Sequence, residues 1–158
     1  MKPLVIILMG SKADLEHCVK ISDACKQYGL DTVLRIASAH KTVEHALAIL
    51  QKYESDPRPK VYITVAGRSN ALSGFTDGAV SAPVIACPPM SESFGGVDVF
   101  SSLRMPSGIA PAVVLEPVNA ALLVAKILGL VDESVQEQVK ASQMRAAQKI
   151  MKDDASVQ

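Results

Sequence analysis

The first strongly patterned stretch of the chain is the continuous apolar run Leu4–Met9, which is rich in β-branched residues. A run that is apolar at every position is typical of a strand covered on both faces, as in a parallel sheet. Ser11 then offers a helix N-cap, and Gly29 offers a C-terminal stop. Between them, apolar residues recur at helical spacing, at Leu15, Cys18, Ile21, Cys25 and Tyr28. The pattern predicts a strand followed by an amphipathic helix.

The same alternation repeats along the rest of the chain. Further strands are predicted over residues 32–37, 60–66, 83–87 and 112–115. Thr42 can cap a second helix, whose predicted apolar stripe is Val43, Ala46, Leu47, Leu50 and Tyr53. A third helix, built from small residues, is expected to begin near Asn70, and a fourth to run from Pro117 to Gly129. Strands and helices joined by short connections predict an α/β, three-layer fold with a parallel central sheet, in one domain spanning 1–158.

The last predicted helix, from Asp132 to about Asp153, differs from the others. Its apolar stripe is thin and consists of Val135, Val139, Ala146 and Ile150. A long helix with so little apolar surface gains little from packing on its own domain. We therefore expect the core to cover about residues 3–130, and the extra C-terminal helix to pack on a neighbouring subunit. A loose position on the surface is the alternative.

Composition and charge narrow the classes of function. Of the 158 residues, 49% are apolar and 20% are charged, with 16 basic and 16 acidic side chains. Neither sign is concentrated in a block, so we expect no nucleic-acid partner and no membrane contact. No apolar run approaches the roughly 18 residues that span a bilayer, and the apolar start is interpreted as a strand rather than a signal. Three cysteines cannot form a closed set of disulfides, which favours reduced thiols and a cytoplasmic location.

Polar clusters follow four of the predicted strands, at the carboxyl ends where open α/β sheets bind ligands. These clusters cover residues 9–14, 38–42, 66–70 and 88–93. Gly10-Ser11 at a strand-to-helix turn suits an anion, because free N–H groups and the helix dipole point there. Lys41 and Arg68 add two cations to the same rim. The clusters predict a phosphorylated small molecule, although the chain has neither a P-loop nor a GxGxxG motif.

The three histidines have different predicted roles. His40 lies in the loop beside the presumed anion site, and imidazole is the side chain best suited to proton transfer near neutral pH. His17 lies off the apolar stripe and is predicted to be solvated, whereas His45 is predicted to be structural or exposed. Neither the histidines nor the cysteines have metal-ligand spacing, so no metal is expected.

The sequence offers weaker support for two other functions. Gly67–Ala71 loosely resembles a nucleophile elbow, because it follows a strand and precedes a helix. Its second small residue is Ala71, and the best histidine precedes the serine, which disfavours a serine hydrolase. A non-catalytic flavin-binding module is also disfavoured, since the chain has no Trp and only 4% aromatic residues.

Four motifs stand in order along the chain. They are Gly10-Ser11-x-x-Asp14, Ser38-Ala39-His40-Lys41-Thr42, Ala66-Gly67-Arg68-Ser69-Asn70 and Ser101-Ser102-Leu103-Arg104-Met105-Pro106-Ser107-Gly108. Their sequence and spacing resemble the phosphoribosylaminoimidazole carboxylase family of purine biosynthesis. The resemblance runs from about Val5 to Leu130. It implies a flavodoxin-like, Rossmann-like fold with an extra C-terminal helix.

The third motif separates the two classes of that family. Enzymes of the first class resemble AGAGGAAHLPG there, carry Arg after the loop histidine, and rearrange N5-carboxyaminoimidazole ribonucleotide into 4-carboxy-5-aminoimidazole ribonucleotide (CAIR). This chain has AGRSNALSG, with Ala71 where that class has His and Lys41 where it has Arg. Both features resemble the second class, which carboxylates 5-aminoimidazole ribonucleotide (AIR) directly and reversibly with CO2.

The resemblance also implies roles for residues in the first two motifs. His40 would be the catalytic proton carrier. Ser11, Ser38 and Lys41 would contact the phosphate of the nucleotide, and Asp14 would contact its ribose.

The third motif would hold the other substrate. Gly67, Arg68 and Ser69 would form the pocket for CO2 and the new carboxylate, where a guanidinium and backbone donors suit the developing charge. Gly10 and Ala39 complete the predicted substrate-binding set. The reaction implied by the resemblance needs no ATP, biotin, metal or other cofactor, and its partners are the small molecules AIR and CO2.

The chain departs from the family pattern at one position. The family usually has a second Ser two residues after the first, where this chain has Ala13. We expect the lost hydroxyl to lower phosphate affinity modestly without changing the reaction. Family members form symmetric tetramers or octamers with shared active sites, which implies a homotetramer or homo-octamer here. Two alternatives stay open: the first-class mutase, and a phosphate-ligand binding module without activity.

Overall fold

A parallel five-stranded sheet forms the centre of the protein, for which a computed structural model describes residues 1–157. Its strands are β1 (Leu4–Met9), β2 (Asp31–Ile36), β3 (Lys60–Val65), β4 (Val84–Ala86) and β5 (Ala112–Val113). They are arranged in the order β2-β1-β3-β4-β5, and every neighbouring pair is parallel. This is the flavodoxin-like order, in which the chain switches direction across the sheet between β1 and β3. The predicted α/β fold with a parallel sheet is confirmed.

Helices cover both faces of this sheet. They are α1 (Leu15–Lys26), α2 (Val43–Glu54), α3 (Ala71–Asp77), α4 (Phe100–Leu103), α5 (Pro117–Leu128) and α6 (Glu133–Ala155), with short 3-10 segments at Lys12–Asp14 and Ser93–Val99. One core lies between the sheet and α1, α5 and the start of α6, and the other lies under α2 and α3. Alternate residues of β1 enter the two cores, which explains why its apolar run has no polar position.

Helix α2 departs from the prediction in two ways. The predicted stripe placed Val43 and Leu47 in the core, but their side chains are 47% and 39% exposed, while Ile49 is buried. Thr42 stands at the N-cap position, yet its side chain does not cap the helix. The hydroxyl instead accepts a hydrogen bond from the N–H of Ser38 at 2.9 Å. The hydroxyl of Thr42 therefore stabilises the preceding loop rather than the first turn of α2.

The other helix signals are mostly confirmed. Ser11 accepts a hydrogen bond from the N–H of Ala13, but it caps the 3-10 turn before α1 rather than α1 itself. Asn70 caps α3 and Asp132 caps α6 through their side chains. Leu15 belongs to the predicted stripe of α1 but is 37% exposed. The 3-10 segment and α4 between residues 93 and 103 were not predicted.

Helix α6 packs on its own domain only at its beginning. Val135 and Val139 are buried in the core beside α5, whereas Met144 and Ile150 are more than half exposed. The turn into α6 requires Gly129, since a Cβ there would lie 2.9 Å from the carbonyl oxygen of Ala125. Packing of the outer half on a neighbouring subunit stays a prediction.

Membrane-spanning helices are absent from the described part of the chain. Within residues 1–157, no helix combines the length and the apolar character needed to cross a bilayer.

Candidate active site

The loops after β1, β2, β3 and β4 meet at the carboxyl edge of the sheet around one open cleft of about 650 Å³. All ten residues proposed from the sequence line it: Gly10, Ser11, Asp14, Ser38, Ala39, His40, Lys41, Gly67, Arg68 and Ser69. The walls also include Ala13, Ala66, Leu72, Pro89, Met90, Ser91 and Ser93. Because parallel strands end at the same edge, four loops that are distant in sequence become neighbours. Their individual roles stay predictions.

The loop after β1 is held by the side chain of Ser11. Its hydroxyl oxygen accepts a hydrogen bond from the N–H of Ala13 at 3.2 Å and lies 3.4 Å from Oδ2 of Asp14. The N–H of Gly10 is bonded to the carbonyl oxygen of Val65 on β3. This loop therefore presents a small, hydrogen-bonded turn to the cleft, and Ala13 is part of the cleft wall.

The loop after β2 is closed on itself by two hydroxyl groups. Ser38 Oγ accepts hydrogen bonds from the N–H groups of His40 and Lys41, both at 3.3 Å. Thr42 Oγ1 accepts from the N–H of Ser38 and donates to its carbonyl oxygen at 3.3 Å. Within residues 1–157, the imidazole of His40 and the ammonium of Lys41 have no hydrogen-bond partner. A fixed backbone thus presents two free polar side chains to the cleft.

The loop after β3 has an unusual backbone at Arg68. Its φ of 62° lies in the left-handed region, which non-glycine residues rarely adopt. The N–H of Arg68 donates to Oδ2 of Asp98 at 3.2 Å, and its carbonyl oxygen accepts from Ser101 Oγ at 3.4 Å. Ser101 Oγ also accepts from the N–H of Asn70 at 2.9 Å. This loop is therefore held from outside, by the segment that precedes and includes α4.

Lys41 and Arg68 bring positive charge to the cleft, and the one carboxylate on its wall among the described residues, that of Asp14, forms an ion pair with neither of them. The ion pairs among residues 1–157 all lie elsewhere, and Lys41 and Arg68 take part in none of them. Both side chains are exposed on the cleft wall. Two unpaired cations beside small loops suit an anionic ligand such as a phosphate or a carboxylate.

A smaller cavity of about 150 Å³ adjoins the cleft. It shares Ala66, Gly67, Arg68, Pro89, Met90 and Ser91 with the cleft and adds Pro88, Gly96, Asp98, Val99 and Leu115. Most of these residues are apolar or small. The arrangement joins an open polar cleft to a narrow, largely apolar chamber, with Arg68 at the boundary.

His17 corrects one prediction from the sequence. It is half-buried rather than solvated, and its Nε2 lies 3.1 Å from the carbonyl oxygen of Cys87. Because a carbonyl can only accept, Nε2 carries the hydrogen. Burial lowers the pKa of His17, and burial raises the pKa of the Cys87 thiol to about 12. The neutral pair links α1 to the residue after β4, and it does not line the cleft.

The remaining candidates behave differently from one another. His45 was predicted to be either structural or exposed, and it is exposed on α2. The hydroxyl of Ser69 has no histidine partner within residues 1–157, which gives a serine nucleophile no base. Cys18, Cys25 and Cys87 are buried free thiols. Over the same residues, no three His, Cys, Asp or Glu side chains are grouped so as to hold a metal ion.

Comparison with known proteins identifies the family of this chain. The family model described as AIR carboxylase matches residues 4–149. The chain belongs to the AIR carboxylase family. It is similar to the phosphoribosylaminoimidazole carboxylase of Treponema denticola, with 57% identity over 99% of both chains, and to that of Archaeoglobus fulgidus, with 55% identity over 94% of this chain and 82% of the other. The crystal structure of Treponema denticola PurE matches with a TM-score of 0.98 and 56% identity, covering 99% of each chain.

The sequence analysis of this AIR carboxylase family member did not find one part of the candidate site. Ser101 and Ser102 belong to the fourth motif, but no role followed from their positions. Asp98 lies in no motif, although it binds the loop that carries Arg68. No sequence pattern pointed to Asp98, because it is 30 positions away from Arg68 and only the fold brings the two residues together.

Proposed function

We propose that this member of the AIR carboxylase family carboxylates AIR at C4 with CO2, reversibly, to give CAIR in purine biosynthesis. The main support for the proposal is that an open polar cleft adjoins a narrow, largely apolar chamber. The open cleft has unpaired cations and a free imidazole, and the narrow apolar chamber meets it at Arg68. A nucleotide phosphate fits the first environment, and uncharged CO2 fits the second.

The chemistry follows from the substrates. The amino group of AIR makes C4 an enamine-like nucleophile, which attacks the carbon of CO2. One C–O π bond breaks as the C–C bond forms, so a carboxylate develops while C4 still carries its proton. His40 accepts that proton, the imidazole ring of the substrate regains its aromaticity, and the proton passes to solvent. All atoms and charges in this reaction are accounted for without ATP, biotin or a metal.

The residues around the reacting atoms have distinct proposed tasks. Ser11, Ser38 and Lys41 bind the phosphate, and Asp14 binds the ribose. This fixes the base so that C4 faces the chamber, which removes most of the entropic cost of bringing the reactants together. Arg68 lies where negative charge develops, so its guanidinium stabilises the carboxylate more than neutral CO2.

The third-motif loop supplies the remaining contacts. Gly67 and Ser69 flank Arg68 and present backbone N–H groups to the carboxylate. Gly10 has no side chain and Ala39 has only a methyl group, so both leave room for the nucleotide at the cleft wall. Direct use of CO2 rather than the carbamate is proposed because Lys41 and Ala71 stand where the mutase class has Arg and His.

Assembly and location complete the proposal. We infer a single-domain protomer that assembles as a homotetramer or homo-octamer, with α6 packing on a neighbour. Exposed apolar side chains near the cleft, such as Phe94 and Phe100, and on α6, such as Ile150, support an association of copies. Buried free thiols support a reducing, cytoplasmic location.

The deciding experiment compares two substrates without ATP or metal. Purified protein is mixed with AIR and a source of CO2, or with freshly made carbamate while free CO2 is removed, and CAIR is followed by ultraviolet absorbance. Turnover only with AIR and CO2 supports the proposal. Turnover only with the carbamate would assign the mutase reaction, and AIR binding without turnover in either sample would assign a binding module.

A further inference from the structure

Two non-glycine residues of the described chain have a left-handed backbone, and they lie in adjoining segments. Arg68 has a φ of 62° and Phe94 a φ of 54°. Phe94 begins a left-handed run with Gly95 and Gly96, and this run leads into the segment that binds the Arg68 loop. Side chains at such positions clash with their own backbone, so the surroundings must hold them there. Backbone strain of this kind tends to occur where geometry serves a function.

The hydrogen bonds that hold Arg68 come from one short segment. Oδ2 of Asp98 accepts from the N–H of Arg68 at 3.2 Å, and Ser101 Oγ donates to its carbonyl oxygen at 3.4 Å. Ser101 is itself fixed, because its single hydroxyl hydrogen is shared between this oxygen and the closer carbonyl oxygen of Asp98 at 2.7 Å. The N–H and the carbonyl oxygen of Arg68, which belong to the two peptide groups on either side of its Cα, are therefore both bonded to this segment.

This segment is anchored below the surface. Asn70 Nδ2 donates to Ser102 Oγ at 2.9 Å, and these residues are only 3% and 1% exposed. Asn70 Oδ1 also accepts from the N–H of Ser73 and so caps α3. The buried bond fixes the distance between the two segments, which brings Asp98 within reach of Arg68.

The guanidinium of Arg68 has no partner of its own within residues 1–157. Without such a contact, the left-handed backbone of Arg68 is what determines the direction in which its side chain leaves the Cα. A carboxylate is a stronger acceptor for an N–H group than a neutral oxygen. Asp98 forms no ion pair in the described part of the chain, so its charge is available for this bond.

We propose that Asp98 is a positioning residue, whose carboxylate holds the backbone of Arg68 left-handed and thereby aims the guanidinium at the boundary of the cleft and the apolar chamber. This inference rests on the proposed function for the identity of the carboxylate that Arg68 stabilises. Without Asp98, residue 68 relaxes to a negative φ and its side chain leaves the boundary. Asp98 lines the adjoining chamber, but its proposed role is exerted through the backbone of Arg68 rather than on a reacting atom.

The test uses two variants of the same residue. Asp98→Ala removes the acceptor, whereas Asp98→Asn keeps an oxygen that can accept from the N–H of Arg68. We expect Asp98→Ala to lower kcat/KM for CO2 by roughly ten- to a hundredfold, as small misplacements of a reacting group do, with the Kd of AIR within about threefold. Asp98→Asn should retain activity within about threefold of the native enzyme.

A matched control separates this role from general loss of a structural hydrogen bond. Asp77 Oδ2 also accepts from a backbone N–H, that of Ala110 at 2.8 Å, but Asp77 lines neither the cleft nor the chamber, whereas Asp98 lines the chamber. Asp77→Ala should change thermal stability without changing the use of CO2. If Asp98→Ala does not fold, Ser101→Ala removes the bond to the carbonyl of Arg68 and should lower kcat/KM for CO2 in the same direction.

A crystal structure of each Asp98 variant tests the backbone directly and does not depend on the reaction. Residue 68 should have a negative φ in Asp98→Ala and keep its positive φ in Asp98→Asn. A positive φ in both variants, or equal losses of activity in both, would overturn the role of Asp98. Absence of AIR carboxylation by the native protein would instead overturn the proposed function, and the φ comparison would still decide whether Asp98 sets the backbone.

Discussion

The hydroxyl of Thr42 closes the loop that carries His40 by binding both backbone groups of Ser38. Thr42 Oγ1 lies 2.9 Å from the nitrogen of Ser38 and 3.3 Å from its carbonyl oxygen. The N–H of Thr42 also donates to the same carbonyl at 2.9 Å. Thr42 thus connects the two ends of the loop. The position of His40, the proposed proton carrier, depends on the side chain of Thr42, which does not line the cleft.

Removal of that hydroxyl should loosen the loop. Thr42→Val has nearly the same shape but cannot bond Ser38, so we expect a loss of about 1 kcal/mol in the free energy of unfolding, as for one or two exposed hydrogen bonds. We also expect a lower kcat, because the imidazole is held less firmly. Urea denaturation and steady-state kinetics measure the two effects. Thr42→Ser keeps the hydroxyl and should behave as the native protein; equal defects in both variants would contradict this explanation.

The proposed proton transfer predicts a separation of binding from turnover at His40. His40→Asn should lower kcat by roughly 10²–10⁴-fold, the usual contribution of a general base. Binding of AIR, measured by calorimetry, should stay within about tenfold, because His40 is not a proposed phosphate contact. His45→Asn is the matched control, since His45 is exposed on α2 outside the cleft. A variant that loses AIR affinity but keeps its maximal rate would rule out the role given to His40.

The half-buried His17 should make stability depend on pH. Burial lowers its pKa below the ordinary value of 6.5, with smaller opposing effects from Cys87, Asp14 and Glu116. The unfolded chain therefore binds a proton more readily than the folded protein does. The stability from neutral His17 is present above pH 6.5 and is lost as the pH falls from there towards the folded pKa.

His17→Gln isolates that effect, because glutamine can donate to the carbonyl oxygen of Cys87 but does not titrate. Below pH 6.5 the Tm of the native protein should fall more steeply than that of the variant. Thermal melts at several pH values between about 5 and 8 measure the difference. Parallel curves for the two proteins would show that His17 has the same proton affinity folded and unfolded.

Two glycines should tolerate alanine poorly for different reasons. A Cβ at Gly129 would lie 2.9 Å from the carbonyl oxygen of Ala125 and 3.2 Å from Cα of Gln136, so the turn into α6 would have to move. We expect Gly129→Ala to cost about 1–3 kcal/mol in the free energy of unfolding through overpacking. Gly29 meets no atom within 4 Å but has a φ of 76°, so Gly29→Ala should cost about 1–2 kcal/mol through strain alone.

Denaturant curves and a crystal structure distinguish the two causes. Gly129→Ala should displace the start of α6, whereas Gly29→Ala should leave the surrounding atoms in place. A Gly129→Ala protein of native stability and unchanged α6 would disprove the close-packing argument.

Local patterns in the sequence determined most of the fold. The unbroken apolar run of β1 indicated a strand buried on both faces, and caps at Asn70 and Asp132 located α3 and α6. These features depend on residues within a few positions of one another, so hydrophobic period and hydrogen-bonding capacity suffice to read them. Placement of polar clusters at strand ends also located the cleft, because parallel strands end at the same edge.

Only the tertiary structure decided which neighbours each side chain meets. His17 was predicted to be solvated, but Cys87, 70 positions away, receives its hydrogen bond. Thr42 was predicted to cap α2, but its hydroxyl is bound to the loop instead. Asp98 belongs to none of the sequence motifs, yet its carboxylate accepts a hydrogen bond from the backbone N–H of Arg68. Period and propensity describe one element at a time, whereas these contacts form between elements whose separation is set by the packing of the whole sheet and its helices.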